Sequence, residues 1–89
     1  MLEKRISIKN KLGLHARAAV KFVNLANRFS AEVKIVKDGS EIDGKSILGI
    51  LTLAATQGSE IMLLVSGADE ETALDALVRL INGKFEEKE

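Results

Sequence analysis

Cysteine, proline, tyrosine and tryptophan are all absent from this chain, and histidine occurs once. Without cysteine there is no disulfide, no thiolate metal site and no thiol nucleophile, and that absence fits any redox compartment. Without Tyr or Trp the usual base-stacking side chains are missing, and 13 Lys plus Arg against 13 Asp plus Glu leave no basic excess. A nucleic acid partner is therefore not expected. No apolar run is long enough to cross a bilayer, and Met1 is followed at once by Leu2, Glu3, Lys4 and Arg5 rather than by a signal-type stretch. The expectation is a cytoplasmic protein with no direct membrane insertion. With no proline, repeat or low-complexity segment to mark a boundary, residues 1–89 read as a single domain.

What is present is aliphatic. Hydrophobic residues make up 46% of 89 residues and only three are aromatic, so the core must be built from Leu, Ile, Val and Ala. Alternation from Arg5 to Lys9, with Ile6 and Ile8 on one face, predicts a half-buried strand. From Ala16 the period changes to that of a helix, with Ala19, Phe22, Val23, Ala26 and Phe29 on one side. Ala31, Val33 and Ile35 alternate again, and Asp38-Gly39 is a tight-turn pair leading to a short strand over Ser40–Asp43. Ser46 suits the cap of a short helix running from Ile47 to about Thr56. Ile61, Leu63 and Val65 make a fourth strand. Asp69 is placed to cap a last helix with acidic residues in its first turn and Arg79 and Lys84 near its end. The tail "EEKE" reads as frayed. The order βαββαβα with one-sided strands predicts an α+β fold, an antiparallel sheet covered by helices on one face and open to water on the other.

His15 stands between this first strand and first helix, in "KLGLHARAAVKF". A lone histidine is often only a surface or capping side chain. A metal site needs several ligands, and no second His or any Cys is available to complete one. A Ser-His-Asp arrangement lacks an acid close in sequence, although folding could bring one. The position does suit an anion: the first turn of a helix offers unpaired N–H groups and a positive dipole end, and Arg17 adds a planar guanidinium. A neutral imidazole nitrogen is a competent phosphoryl acceptor. The lack of acidic neighbours then has a reason, because a carboxylate beside the site would repel the incoming group. Gly13 permits the sharp approach to the helix.

"GLHARAA" at 13–19 resembles the active-site motif of the HPr family, the histidine-containing phosphocarriers of the bacterial phosphoenolpyruvate-dependent sugar phosphotransferase system. The likeness covers nearly the whole chain, including the spacing from His15 to "GKSILGI" at 44–50. It implies an open-faced β-sandwich, a four-stranded antiparallel sheet with three helices on one face, and a stoichiometric carrier rather than an enzyme, with no cofactor or metal. By that resemblance His15 accepts a phosphoryl group on Nδ1 from enzyme I and passes it to IIA components of sugar permeases, Arg17 steadies the phosphate, and the protein works as a monomer. Ala18 stands where the family usually has proline, and it supplies one further N–H to the first turn.

Ser46 has a plain reading as a helix cap. The resemblance adds regulatory phosphorylation there by HPr kinase/phosphorylase, and in some bacteria binding of the modified form to a transcriptional repressor. The helix after Ser46 is apolar all round, so part of it must be exposed, as in a docking surface. Ile47, Leu48 and Leu51, with Ala16, Arg17, Val20, Asn24 and Asn27, are the candidate partner-docking residues. Two alternatives stand beside this reading. One is a nitrogen-branch regulatory phosphocarrier paralogue; the other is a small ligand-sensing βαββαβ module, for which the open sheet face would be the site.

Overall fold

A computed structural model describes residues 1–87. Its elements are β1 (Leu2–Ser7), α1 (Ala16–Ala26), β2 (Glu32–Lys37), β3 (Ser40–Asp43), α2 (Ile47–Thr52), β4 (Glu60–Ser66) and α3 (Glu70–Asn82), followed by a short turn over Lys84–Glu86. The strands form one four-stranded sheet in the order β1-β4-β2-β3. Every neighbouring pair is antiparallel.

Register follows from the two-residue side-chain period. Ile6 faces Ile61, Val33 faces Val65 and Ile35 faces Leu63. All six are buried on the helix-covered side. The residues between them, Arg5, Lys34, Met62 and Leu64, line the open face, where Lys34 pairs with Glu32 and Glu41 at 3.4 Å each. The β2–β3 hairpin turns at Asp38-Gly39, whose φ values of 50° and 82° suit the tight turn that the sequence predicts. From the helices, Ala18, Ala19, Phe22, Val23 and Ala26 of α1 meet Ala73, Leu77 and Ile81 of α3 over the sheet. The core is aliphatic as expected, with Phe22 and Phe85 added.

Three local expectations are corrected. The second helix ends at Thr52 rather than about Thr56. Ala54 takes φ 50°, which breaks the helix and turns the carbonyl of Ala55 towards the segment before α1, where it accepts the N–H of Leu14 at 2.9 Å. Asp69 does not cap α3 with its side chain. Its carboxylate instead accepts the N–H groups of Ser30 and Ala31, both at 2.9 Å, tying the α1–β2 connection to the start of α3. Those two backbone donors, Ser30 first, outweigh desolvation and hold the carboxyl below its ordinary range. Finally, the expected frayed tail is placed through Glu87, because Phe85 turns back into the core with 1% of its surface exposed; Lys88 and Glu89 of that tail lie outside the described residues.

Candidate phosphorylation site

His15 is the residue immediately before α1, in extended backbone conformation, and its ring does not cap the helix. The first helical bond runs from the Ala19 N–H to the His15 carbonyl at 2.9 Å. The N–H groups of Ala16, Arg17 and Ala18 therefore precede the helical ladder, the position that favours an anion. Ala18 is fully buried, so its methyl packs inward while its amide stays in the first turn. Arg17 and Ala16 are exposed. The ring is neither free nor walled off: 26% of the His15 side chain is accessible.

Gly13 sets the approach. It has φ 68°, and an added Cβ would lie 2.4 Å from the Ala55 carbonyl oxygen. Only a residue without a side chain lets this loop rest on the segment after α2. The Gly13 N–H bonds to the Asn10 carbonyl at 3.2 Å, and its carbonyl accepts Nδ2 of Asn10 at 2.7 Å.

The expectation that His15 has no carboxylate beside it is wrong. Oε2 of Glu87 lies 2.6 Å from Nε2 of His15 and 2.7 Å from Nδ2 of Asn10. Burial raises the Glu87 carboxyl, but hydrogen bonds from His15, Asn10 and the Leu12 backbone, with the attraction of the imidazole, together hold it below the usual carboxylate range. An ionised carboxylate only accepts, so Nε2 must be the donor and a neutral ring keeps its lone pair on Nδ1. The repulsion argument fails because the carboxylate occupies the ring edge away from Nδ1.

Sequence reasoning missed Glu87 and Asn10 because folding brings Glu87 to His15 and Asn10 to Glu87. The signal that pointed to them was Phe85, an aromatic residue in an otherwise charged tail, "GKFEEKE". Lys21 of α1 clamps that tail by donating to the Phe85 carbonyl at 2.8 Å and to Glu86 at 3.2 Å.

Ser46 behaves as the expected cap: its Oγ accepts the Gly49 N–H at 3.0 Å. Ser46→Ala should cost about 1 kcal/mol in denaturant unfolding, whereas Ser46→Asp should keep the cap and stay within a few tenths of a kcal/mol of wild type. Equal losses for both would show that the side-chain bond does not hold α2. Ala16, Val20 and Asn24 of α1, Asn27 just after it, and Ile47, Leu48 and Leu51 of α2 are all exposed. Leu48 is 76% exposed, too much for a core residue.

An open-faced sandwich that presents one accessible imidazole at a helix N-terminus, with an exposed arginine two residues on and exposed aliphatic side chains on the same helices, has the architecture of a small phosphocarrier. The family model described as "PTS HPr component phosphorylation site" matches residues 2–83. The chain belongs to this HPr family of the phosphotransferase system. It is 52% identical over 89 residues to the phosphocarrier protein HPr of Neisseria meningitidis, covering 100% of both chains. The crystal structure of HPr-C-His from Thermoanaerobacter tengcongensis superposes with a TM-score of 0.96 at 47% identity, covering 100% of both chains. An HPr dimer from the same organism superposes with a TM-score of 0.79 at 48% identity, covering 98% of this chain and 100% of that one.

Proposed function

We propose that this protein, acting as one domain, accepts a phosphoryl group on Nδ1 of His15 from phosphorylated enzyme I and delivers it to IIA components of sugar permeases. The observation that carries the proposal is the state of the His15 ring: accessible to solvent, with Nε2 engaged by Glu87 and Nδ1 left as the basic nitrogen. The first-turn amides, which lie outside the helical ladder, and the guanidinium of Arg17 supply the positive field for the transferred group. In this role the protein is consumed and regenerated in each cycle and performs no turnover of its own, as a cytoplasmic monomer. The alternative of a ligand sensor on the open sheet is less favoured, because that face carries the Lys34 ion pairs with Glu32 and Glu41. The nitrogen-branch reading shares the His15 chemistry and differs in its partners.

The test is incubation with enzyme I and phosphoenolpyruvate. Wild type should gain one acid-labile, base-stable phosphoryl group and His15→Ala none; equal labelling of the two defeats the proposal.

The apolar patch on α1 and α2 is the docking surface in this reading. Leu48→Glu should slow transfer by about tenfold, the effect of one well-placed interface contact, while changing unfolding free energy by no more than about 0.5 kcal/mol. Retention of wild-type transfer rates by the folded variant would remove Leu48 from the interface.

Regulation at Ser46 belongs to the same proposal. A phosphate on Ser46 would stand at the start of α2, between Ile47 and Leu48 of the docking patch and the rest of the loop. There it would set a dianion against any acidic partner surface. The enzyme expected to place it is an ATP-dependent HPr kinase/phosphorylase, and the modified form is the one expected to bind a transcriptional repressor.

A further inference from the structure

We propose that Asn10 and Glu87 are a positioning pair for His15: the buried Asn10 amide fixes the Glu87 carboxylate, and the carboxylate holds the imidazole with its proton on Nε2 and its lone pair on Nδ1. The proposal rests on the carrier reading and adds two residues to it that no motif around the histidine contains.

Asn10 is fully buried and is the one polar residue so placed among the described residues. Its Nδ2 donates at 2.7 Å both to the Gly13 carbonyl and to Glu87 Oε2. Both partners are acceptors, so the amide can sit only one way round. Its Oδ1 has no hydrogen-bond partner among the described residues. Of the two donated bonds, one closes the Asn10–Gly13 loop and the other aims Glu87. The carboxylate is 12% exposed and its bond to Nε2, at 2.6 Å, has the short length of a charge-assisted one. Two donors converge on one oxygen, which fixes the carboxylate against rotation and with it the plane of the ring.

The chemical consequence acts in both directions of transfer. On acceptance, the Nδ1 lone pair forms the bond to phosphorus as the phosphorylated donor protein's own bond to phosphorus breaks. No proton leaves the ring, which becomes cationic with Glu87 as its counter-charge. On delivery, the N–P electron pair returns to Nδ1 as the acceptor binds phosphorus, and the leaving group is neutral imidazole because Nε2 has kept its proton. Holding that proton makes the bond both formable and breakable.

Proton NMR of the unphosphorylated protein reads the arrangement directly. Wild type should show an exchange-protected, downfield Nε2–H resonance; Glu87→Ala should lose it, and Glu87→Gln, which keeps an acceptor without charge, should retain it. With enzyme I and phosphoenolpyruvate, both variants should take up the phosphoryl group about tenfold more slowly, the scale of one lost charge-assisted contact. Asn10→Ala should broaden the same resonance. Glu87 variants decide the matter, because the side chain is not part of the hydrophobic core and its loss leaves the core intact. A protected resonance surviving in Glu87→Ala, or wild-type uptake by that variant, overturns the pair. Failure of wild type itself to take up label overturns the carrier reading instead, and the resonance still decides whether Glu87 orients the ring.

Discussion

Replacing Phe85 by alanine is expected to lower stability by about 2–3 kcal/mol and to detach Glu87 from His15 in the same step. A buried phenylalanine usually costs about 3–5 kcal/mol when cut back to alanine, and Phe85 is 1% exposed. The smaller figure follows from what holds it. Lys84, Phe85 and Glu86 have φ values of 59°, 54° and 64°, a run of left-handed residues with no glycine among them. Each costs about 1–2 kcal/mol relative to ordinary backbone. That strain persists because the phenyl ring is plugged into the core and Lys21 holds the Phe85 carbonyl and the Glu86 carboxylate. Once the ring is gone the turn has lost its buried anchor and keeps only the Lys21 and local backbone bonds, so it unwinds, and relief of the strain returns part of the lost burial. Denaturant unfolding gives the free energy, and the His15 Nε2–H resonance reports the tail. A full loss of about 4–5 kcal/mol with an unchanged resonance would mean that the left-handed turn holds itself, contrary to this account.

The fold was legible wherever the pattern was local. Alternation at Ile61, Leu63 and Val65 places β4 correctly within Glu60–Ser66, and Ser40–Asp43 agrees at both ends. Both outcomes follow from a side-chain period that one buried face enforces. Helix α2 was misjudged at its end because nothing in "LTLAATQG" marks Ala54 as left-handed; the conformation is imposed by the pairing of Ala55 with Leu14, some forty residues away in sequence. Asp69 misled for the converse reason. An acid before a helix is a common cap, but two backbone donors from Ser30 and Ala31 compete for the same carboxylate and win. His15, Arg17 and Ser46 stand out as candidates because each belongs to a contiguous motif, while the contact between His15 and Glu87 joins residues 72 positions apart. Charge reasoning alone argued against that contact. It treated the imidazole as a point, when the ring offers two nitrogens on different edges and a carboxylate on one leaves the other available.

The second large effect is expected at Gly13. Gly13→Ala should cost about 2–4 kcal/mol, combining the strain of a left-handed residue with the overpacking of a fixed contact. Gly13 has φ 68°, and its new Cβ would meet the Ala55 oxygen at 2.4 Å and the Thr56 Cα at 2.9 Å, both backbone atoms that cannot swing aside. Gly58 provides the internal control. Its φ is 89° but an added Cβ there meets nothing within 4 Å. Gly58→Ala therefore carries only the conformational cost, about 1–2 kcal/mol, and the difference between the two variants isolates the overlap. To relieve that overlap, the loop before α1 must lift from the segment after α2, stretching the Leu14 to Ala55 bond and moving the Gly13 carbonyl that Asn10 holds. Asn10, Glu87 and the imidazole are linked in series, so the displacement should also slow phosphoryl uptake in Gly13→Ala and leave it untouched in Gly58→Ala. Unfolding curves and labelling rates on the two proteins check both halves. Equal stability losses would mean that the close approach at Gly13 yields without cost, and the loop would then owe its position to Asn10 alone.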